Sequence, residues 1–132
     1  MQLFVCAMLF AGGAAAQGPQ CSLASFHGNY IFKDYGEIAL LGTYASAGSL
    51  TANGNGTGAI NNETVSLAGT ISTKSTNISY SLAPGANAAN CQISAVTGDG
   101  RNFTLYLKPD GSKGSFIATA LTQRINGEIE HD

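Results

Sequence analysis

The groups in this 132-residue chain that could do chemistry are few: two histidines, three cysteines and eight acidic residues. A nucleophile–base–acid constellation would need His27 or His131 held rigidly beside a Ser or Cys. His131 stands one residue from the end of the sequence. His27 precedes the first alternating segment, where it would either face Asp34 or Glu37 across a barrel mouth or stand solvated. No G-x-S-x-G elbow occurs, and no glycine-rich loop opens a helix to cradle phosphate. Paired carboxylates run glycoside hydrolysis. Glu128 and Glu130 share a face, but alternation with Ile125 and Ile129 turns that face outward. Glu37 and Glu63 are the acids that could point into an interior as proton handlers. The reading therefore assigns no catalytic residue, no metal ligand and no cofactor.

The cysteines make sense once the first residues are set aside. Met1 to Phe10 is an apolar run, and Ala11-Gly12-Gly13-Ala14-Ala15-Ala16 is made only of small residues. This is the pattern of a secretory signal peptide over residues 1–16, cleaved after Ala16. It predicts a secreted or periplasmic product with one domain over 17–132. The residues before Cys6 and Cys21 do not form a lipoprotein box, so no lipid anchor is expected. Cys6 leaves with the signal. Cys21 and Cys91 remain, an even pair suited to a disulfide in an oxidising compartment. Such a bridge would close a loop of about 70 residues and stabilise by roughly 3–4 kcal/mol.

From Gly28 onward the hydrophobic pattern has period two. Phe103, Leu105 and Leu107 alternate with polar residues, as do Ile78, Tyr80 and Leu82, and Val65, Leu67 and Ile71. Alternation of this kind marks half-buried antiparallel strands. Turn residues separate the runs: Asn53-Gly54-Asn55-Gly56, Pro84-Gly85, Asp99-Gly100 and Lys108-Pro109-Asp110-Gly111. Strands are predicted near 28–35, 41–53, 56–61, 64–72, 76–82, 91–97, 101–108, 114–121 and 124–130. Ile60 and Val65 have opposite parity. If 56–61 and 64–72 are one strand, a bulge at Asn61-Asn62-Glu63 must reset the face. Eight or nine strands with short connections predict an all-β antiparallel meander, closed into a barrel so that no long edge is left bare. A β-sandwich is the alternative. The inward set would include Tyr30, Phe32, Tyr44, Leu50, Ile60, Val65, Leu67, Ile71, Ile78, Tyr80, Leu82, Ile93, Phe103, Leu105, Leu107, Phe116, Ile125 and Ile129.

Cys21-Ser22-Leu23-Ala24-Ser25-Phe26 leading into Gly28-Asn29-Tyr30-Ile31-Phe32, the segment Gly48-Ser49-Leu50-Thr51-Ala52-Asn53-Gly54-Asn55-Gly56, Asn90-Cys91, and Phe116-Ile117-Ala118-Thr119 together resemble a group of small secreted bacterial proteins. Their pattern is a G-x-Y-x-F start, a T-A-D/N-G-N-G turn and a mid-chain Cys. The resemblance implies export and a barrel-like fold, and no activity. Asn53 stands where Asp is common, which argues against a calcium loop. Gly28-Asn29-Tyr30 is also similar to the Gly-x-Trp opening of lipocalin-type and avidin-type barrels, with Arg124 as the basic residue that would cover the ring. Tyr replaces Trp, and the chain has no Trp at all, which argues against an avidin-style pocket.

Charge and composition bound the partners. Net charge is −2, from 6 Lys and Arg against 8 Asp and Glu, so there is no basic excess for nucleic acid. No apolar run is long enough to span a bilayer as a helix, so membrane embedding is not expected. Asn55, Asn62, Asn77 and Asn102 each open an Asn-x-Ser/Thr triplet. These would carry glycans in a eukaryotic secretory pathway and would be plain polar residues in a bacterium. Three readings of function follow. The leading one is a secreted, non-enzymatic barrel that binds a small apolar ligand against Tyr30, Phe32, Tyr44, Tyr80 and Phe103, or acts as a surface or interaction module. The second is a small barrel enzyme of isomerase or cyclase type, with Glu37, Glu63, His27 or a Tyr moving the proton. The third is a structural module with a filled core. Protein partners are not specified by the sequence.

Overall fold

The computed structural model describes residues 21–86 and 91–132. The expected signal peptide over 1–16 lies outside the described residues. A short 3-10 turn at Leu23–Ser25 leads into eight strands: β1 (His27–Ile38), β2 (Gly42–Asn53), β3 (Thr57–Leu67), β4 (Thr70–Leu82), β5 (Cys91–Thr97), β6 (Asn102–Leu107), β7 (Lys113–Ala118) and β8 (Gln123–His131). Each pairs antiparallel with the next, and β8 pairs with β1, so the meander closes into a barrel. Closure gives both the first and last strands a partner, which an open sheet of these strands would not.

Two expected strands fuse. Residues 56–61 and the start of 64–72 form one strand, β3, because the register slips between Ile60 and Glu63. Asn62 takes the left-handed conformation there, at φ +51°, a backbone region that Asn tolerates. The slip turns both Ile60 and Val65 inward, as their parity requires. The chain then reverses at Ala68 and Gly69, inside the expected 64–72 run. Ile71, expected inward, therefore lies beyond the turn and is 64% exposed. Leu82, also expected inward, is exposed at the far end of β4. The other inward residues are buried or half-buried.

The interior is layered along the barrel. Going along β1, the inward side chains are Tyr30 and Phe32, then Asp34, then Ile38; along β2 they are Ala52 and Leu50, then Ser46, then Tyr44; along β3 they are Ile60, then Glu63, then Val65 and Leu67. A large apolar cluster thus fills one end and a smaller one, around Tyr44, Val65, Ala118 and Ile125, fills the other. A polar layer separates them. Glycine gives this layer its room: a Cβ on Gly48 would lie 3.0 Å from the Cα of Glu63 and 3.1 Å from the Phe32 ring.

The disulfide Cys21–Cys91 is formed. It ties the segment before β1 to the start of β5. That segment caps the large cluster, with Phe26 packed 5.1 Å from Tyr30 and 4.9 Å from Tyr80, centroid to centroid.

Candidate functional site

The polar layer is where titratable groups meet inside the barrel. β3 and the β5–β6 turn bring its centre together. Glu63 is fully buried, at 0% exposure, and its carboxylate receives two hydrogen bonds from Arg101, Nη1 to Oε2 and Nη2 to Oε1, both 2.8 Å. This fork-to-fork geometry is the strongest form of the carboxylate–guanidinium pair. Tyr44 donates to Glu63 Oε2 at 3.4 Å. Arg101 Nε donates to Asp99 at 3.0 Å, and Lys74 Nζ lies 2.9 Å from the other Asp99 oxygen. Thr97 also donates to Asp99, and its hydroxyl accepts the backbone N–H of Arg101 at 2.9 Å.

Strand lengths explain the chain of charges. β5 pairs with β4 only from Leu82 back to Ile78, so residues 70–76 of β4 extend past the β5–β6 turn. Backbone pairing stops, and the side-chain bridge from Lys74 to Asp99 spans the gap. Burial pushes the Asp99 carboxyl up, but hydrogen bonds from Arg101, Thr97 and Lys74 outweigh it and hold the group below the ordinary carboxylate range. Burial likewise disfavours the Arg101 cation, and the bonds to Glu63 and Asp99 more than restore it.

Asp34 differs. It is 3% exposed, and it accepts a hydrogen bond from a neutral hydroxyl, that of Ser46. Burial pushes its pKa up to about 6, against the smaller opposing effect of the Ser46 hydrogen bond. Beside it lies an apolar cavity of about 60 Å³, lined by Phe32, Phe103, Phe116 and Leu105, with Asp34 and Arg101 also on its wall.

Of the five aromatic residues expected to line a ligand site, Tyr30, Phe32 and Tyr80 share the large cluster, and Tyr44 and Phe103 pack in the smaller one. Phe32 and Phe103 face the cavity. Tyr30 and Tyr80 belong to the large cluster, and their hydroxyls are tied to loops: Tyr30 donates to Gly111 O at 2.7 Å, and Tyr80 donates to Phe26 O at 2.9 Å while accepting Gly54 N–H at 2.8 Å. Tyr44 sits in the smaller cluster against Glu63.

Compared with family models, curated proteins and solved structures, the chain matches none.

Several expected pairings are not realised. His27 opens β1 and Glu37 lies ten residues along it, roughly 33 Å away at the strand rise; they cannot face each other across one mouth. Asp34 lies inside and His27 outside. Arg124 does not cover Tyr30. It is paired in register with Glu37 at the opposite end of β1, and the ring that meets Tyr30 from β8 is His131, edge-on at 4.9 Å. Glu37, Glu128 and Glu130 point outward. Asn55, Asn62, Asn77 and Asn102 are all exposed. Arg101 was not anticipated as a functional residue. Its one sequence signal is a lone basic residue immediately after Asp99-Gly100, where a solvated turn would be the ordinary reading.

Proposed function

We propose that this protein is an exported, non-enzymatic barrel with a filled interior, acting through its outer surface as an interaction module. One observation carries the reading: the interior cavity holds about 60 Å³, whereas pockets for drug-sized ligands run to about 300–1,000 Å³. Its acids are also engaged. Glu63 is clamped by Arg101, and Asp34 accepts from Ser46. The outer faces of the strands support a water-exposed barrel: β8 presents Arg124, Asn126, Glu128 and Glu130 in succession, which is not the apolar band of a membrane barrel. The disulfide is consistent with an oxidising compartment.

The isomerase reading has one observation in its favour, the buried Asp34 with its raised pKa beside a cavity. The cavity has no room for a substrate of the size such chemistry handles, which ranks this reading second.

Native mass spectrometry on protein purified from its own host tests the proposal, together with thermal shifts against monomeric fatty acids, sterols and metabolites. The expected results are the bare chain mass and unchanged melting. A co-purifying small molecule at one per barrel would overturn it.

A further inference from the structure

The two ends of the barrel differ in chemistry. One end carries the turn at 54–56, the turn at 108–112 and the segment 130–132, with Lys108, Asp110, Glu130 and Asp132 among them. The other end carries the β1–β2, β3–β4 and β7–β8 turns. Residues 38–43 read Ile-Ala-Leu-Leu-Gly-Thr, 67–70 read Leu-Ala-Gly-Thr and 118–123 read Ala-Thr-Ala-Leu-Thr-Gln. None of the three contains a charge. Backbone hydrogen bonds join them into one rim: Ala39 N to Thr122 O and Ala68 N to Thr43 O, each 2.8 Å. Charge at the fourth turn of this end is internally balanced, because Lys74 and Arg101 are matched by Asp99 and Glu63.

The rim presents apolar side chains outward. Leu40 and Leu121 have relative exposures of 105% and 102%, and Leu41 is more than half exposed. Single exposed leucines are common, but the backbone here adds a second observation. Among the described residues three non-glycines have positive φ: Asn62, Leu40 at +67° and Ala68 at +50°. The last two both lie on this rim. Glycine would hold such turns without the Cβ strain, and asparagine offsets it with local hydrogen bonds. Leu40 combines a strained backbone with a side chain wholly in water, and neither feature helps the isolated barrel.

From this we infer that the uncharged rim of Leu40, Leu41 and Leu121 docks end-on into the interfacial region of a lipid bilayer. Area decides between occupants. Three leucine tips offer on the order of 200–400 Å² per copy, about 400–800 Å² for two copies, short of the roughly 1,200–2,000 Å² in total that a stable protein pair buries. Leu40 and Leu121 also protrude fully into solvent, so two copies meeting tip to tip would leave part of each leucine in water. A fluid apolar phase closes around isolated protrusions and needs no matching surface. This deepens the interaction-module reading, on which it rests, by naming the surface and the partner.

Flotation of the full, oxidised protein with phosphatidylcholine vesicles tests it. The wild type should float with the vesicles equally at low and high salt, because no charge takes part. L40S and L121S should each weaken partitioning roughly tenfold, about 1.4 kcal/mol per leucine. L40G should weaken it similarly while leaving the melting temperature unchanged or raised, which separates docking from folding. Absence of flotation, flotation unaffected by the L40S/L121S pair, or a wild-type dimer that this pair dissolves in sedimentation velocity would each overturn the inference. All of these leave the interior intact. A small molecule bound one per barrel in both wild type and the double variant would instead strike the filled-interior reading alone.

Discussion

Arg101 holds together the charges that the barrel buries. Removing it strands a fully buried Glu63 carboxylate without its cation, whose desolvation is then uncompensated. Arg101→Met should lose about 3–5 kcal/mol in urea unfolding at neutral pH, and adding Glu63→Leu should recover most of that. Asp34 gives a pH signature of opposite sign to Asp99. Its pKa is about 6 in the fold and about 3.9 in an unfolded chain, so the native state holds the proton more tightly. Asp34 therefore favours folding fully below pH ~4, and that contribution fades as pH rises through 6, a loss of about 3 kcal/mol. Asp99, held low, contributes above its unfolded pKa and loses this only as pH falls through its lowered value. Asp34→Asn should accordingly exceed the wild type in stability by about 3 kcal/mol at pH 8 and by little at pH 4, read from unfolding midpoints across pH. Gln123 makes a simpler case. Its Oε1 is buried without a hydrogen-bond partner, so Gln123→Leu should raise stability by about 1 kcal/mol.

At the scale of elements, the β3 slip decides what the interior contains. Without the extra residue, Glu63 would point outward with Asn61, and Arg101 would have no bidentate partner. The opposed parity of Ile60 and Val65 makes that slip legible in the sequence. What parity could not tell is how far the strand runs before reversing. The 64–72 run alternates smoothly through Ala68 and Gly69, so periodicity alone continues the strand across the turn and carries Ile71 inward with it. Gly48 is the β2 counterpart of the slip, since the Glu63 backbone passes where its side chain would be. Gly48→Ala should push β3 away and cost about 1–3 kcal/mol. Far-UV circular dichroism should stay strand-like while the denaturation midpoint falls.

At the scale of the molecule, one covalent link and one axial asymmetry matter. Cys21 and Cys91 are 70 residues apart in sequence, and the bridge fastens the Phe26 cap over the large apolar cluster. Cys21→Ser should lower stability by roughly 3–4 kcal/mol, with a matching fall in melting temperature that appears in the wild type only when reductant is added. The asymmetry separates a charged end from one whose β1–β2, β3–β4 and β7–β8 turns carry no charge. It gives the barrel a direction, and the vesicle experiment reads which end faces an apolar phase.

The sequence by itself determined the all-β class, the meander, the parity conflict in β3 and the cysteine pair, and it favoured a closed barrel over a sandwich. Each of these is written in local signals: a period of two, turn residues between runs, a parity conflict, an even count of thiols. Only the tertiary structure decided that the interior is nearly full, that Arg101 reaches Glu63, and that Leu40, Leu41 and Leu121 share one rim. Interior volume depends on how eight strands tilt and how each side chain meets its facing neighbours across the barrel. Arg101 and Glu63 are 38 residues apart, and no local pattern records a distance of that kind. The leucines lie on two turns some 80 residues apart in the chain, and the β8–β1 pairing that closes the barrel is what makes them neighbours.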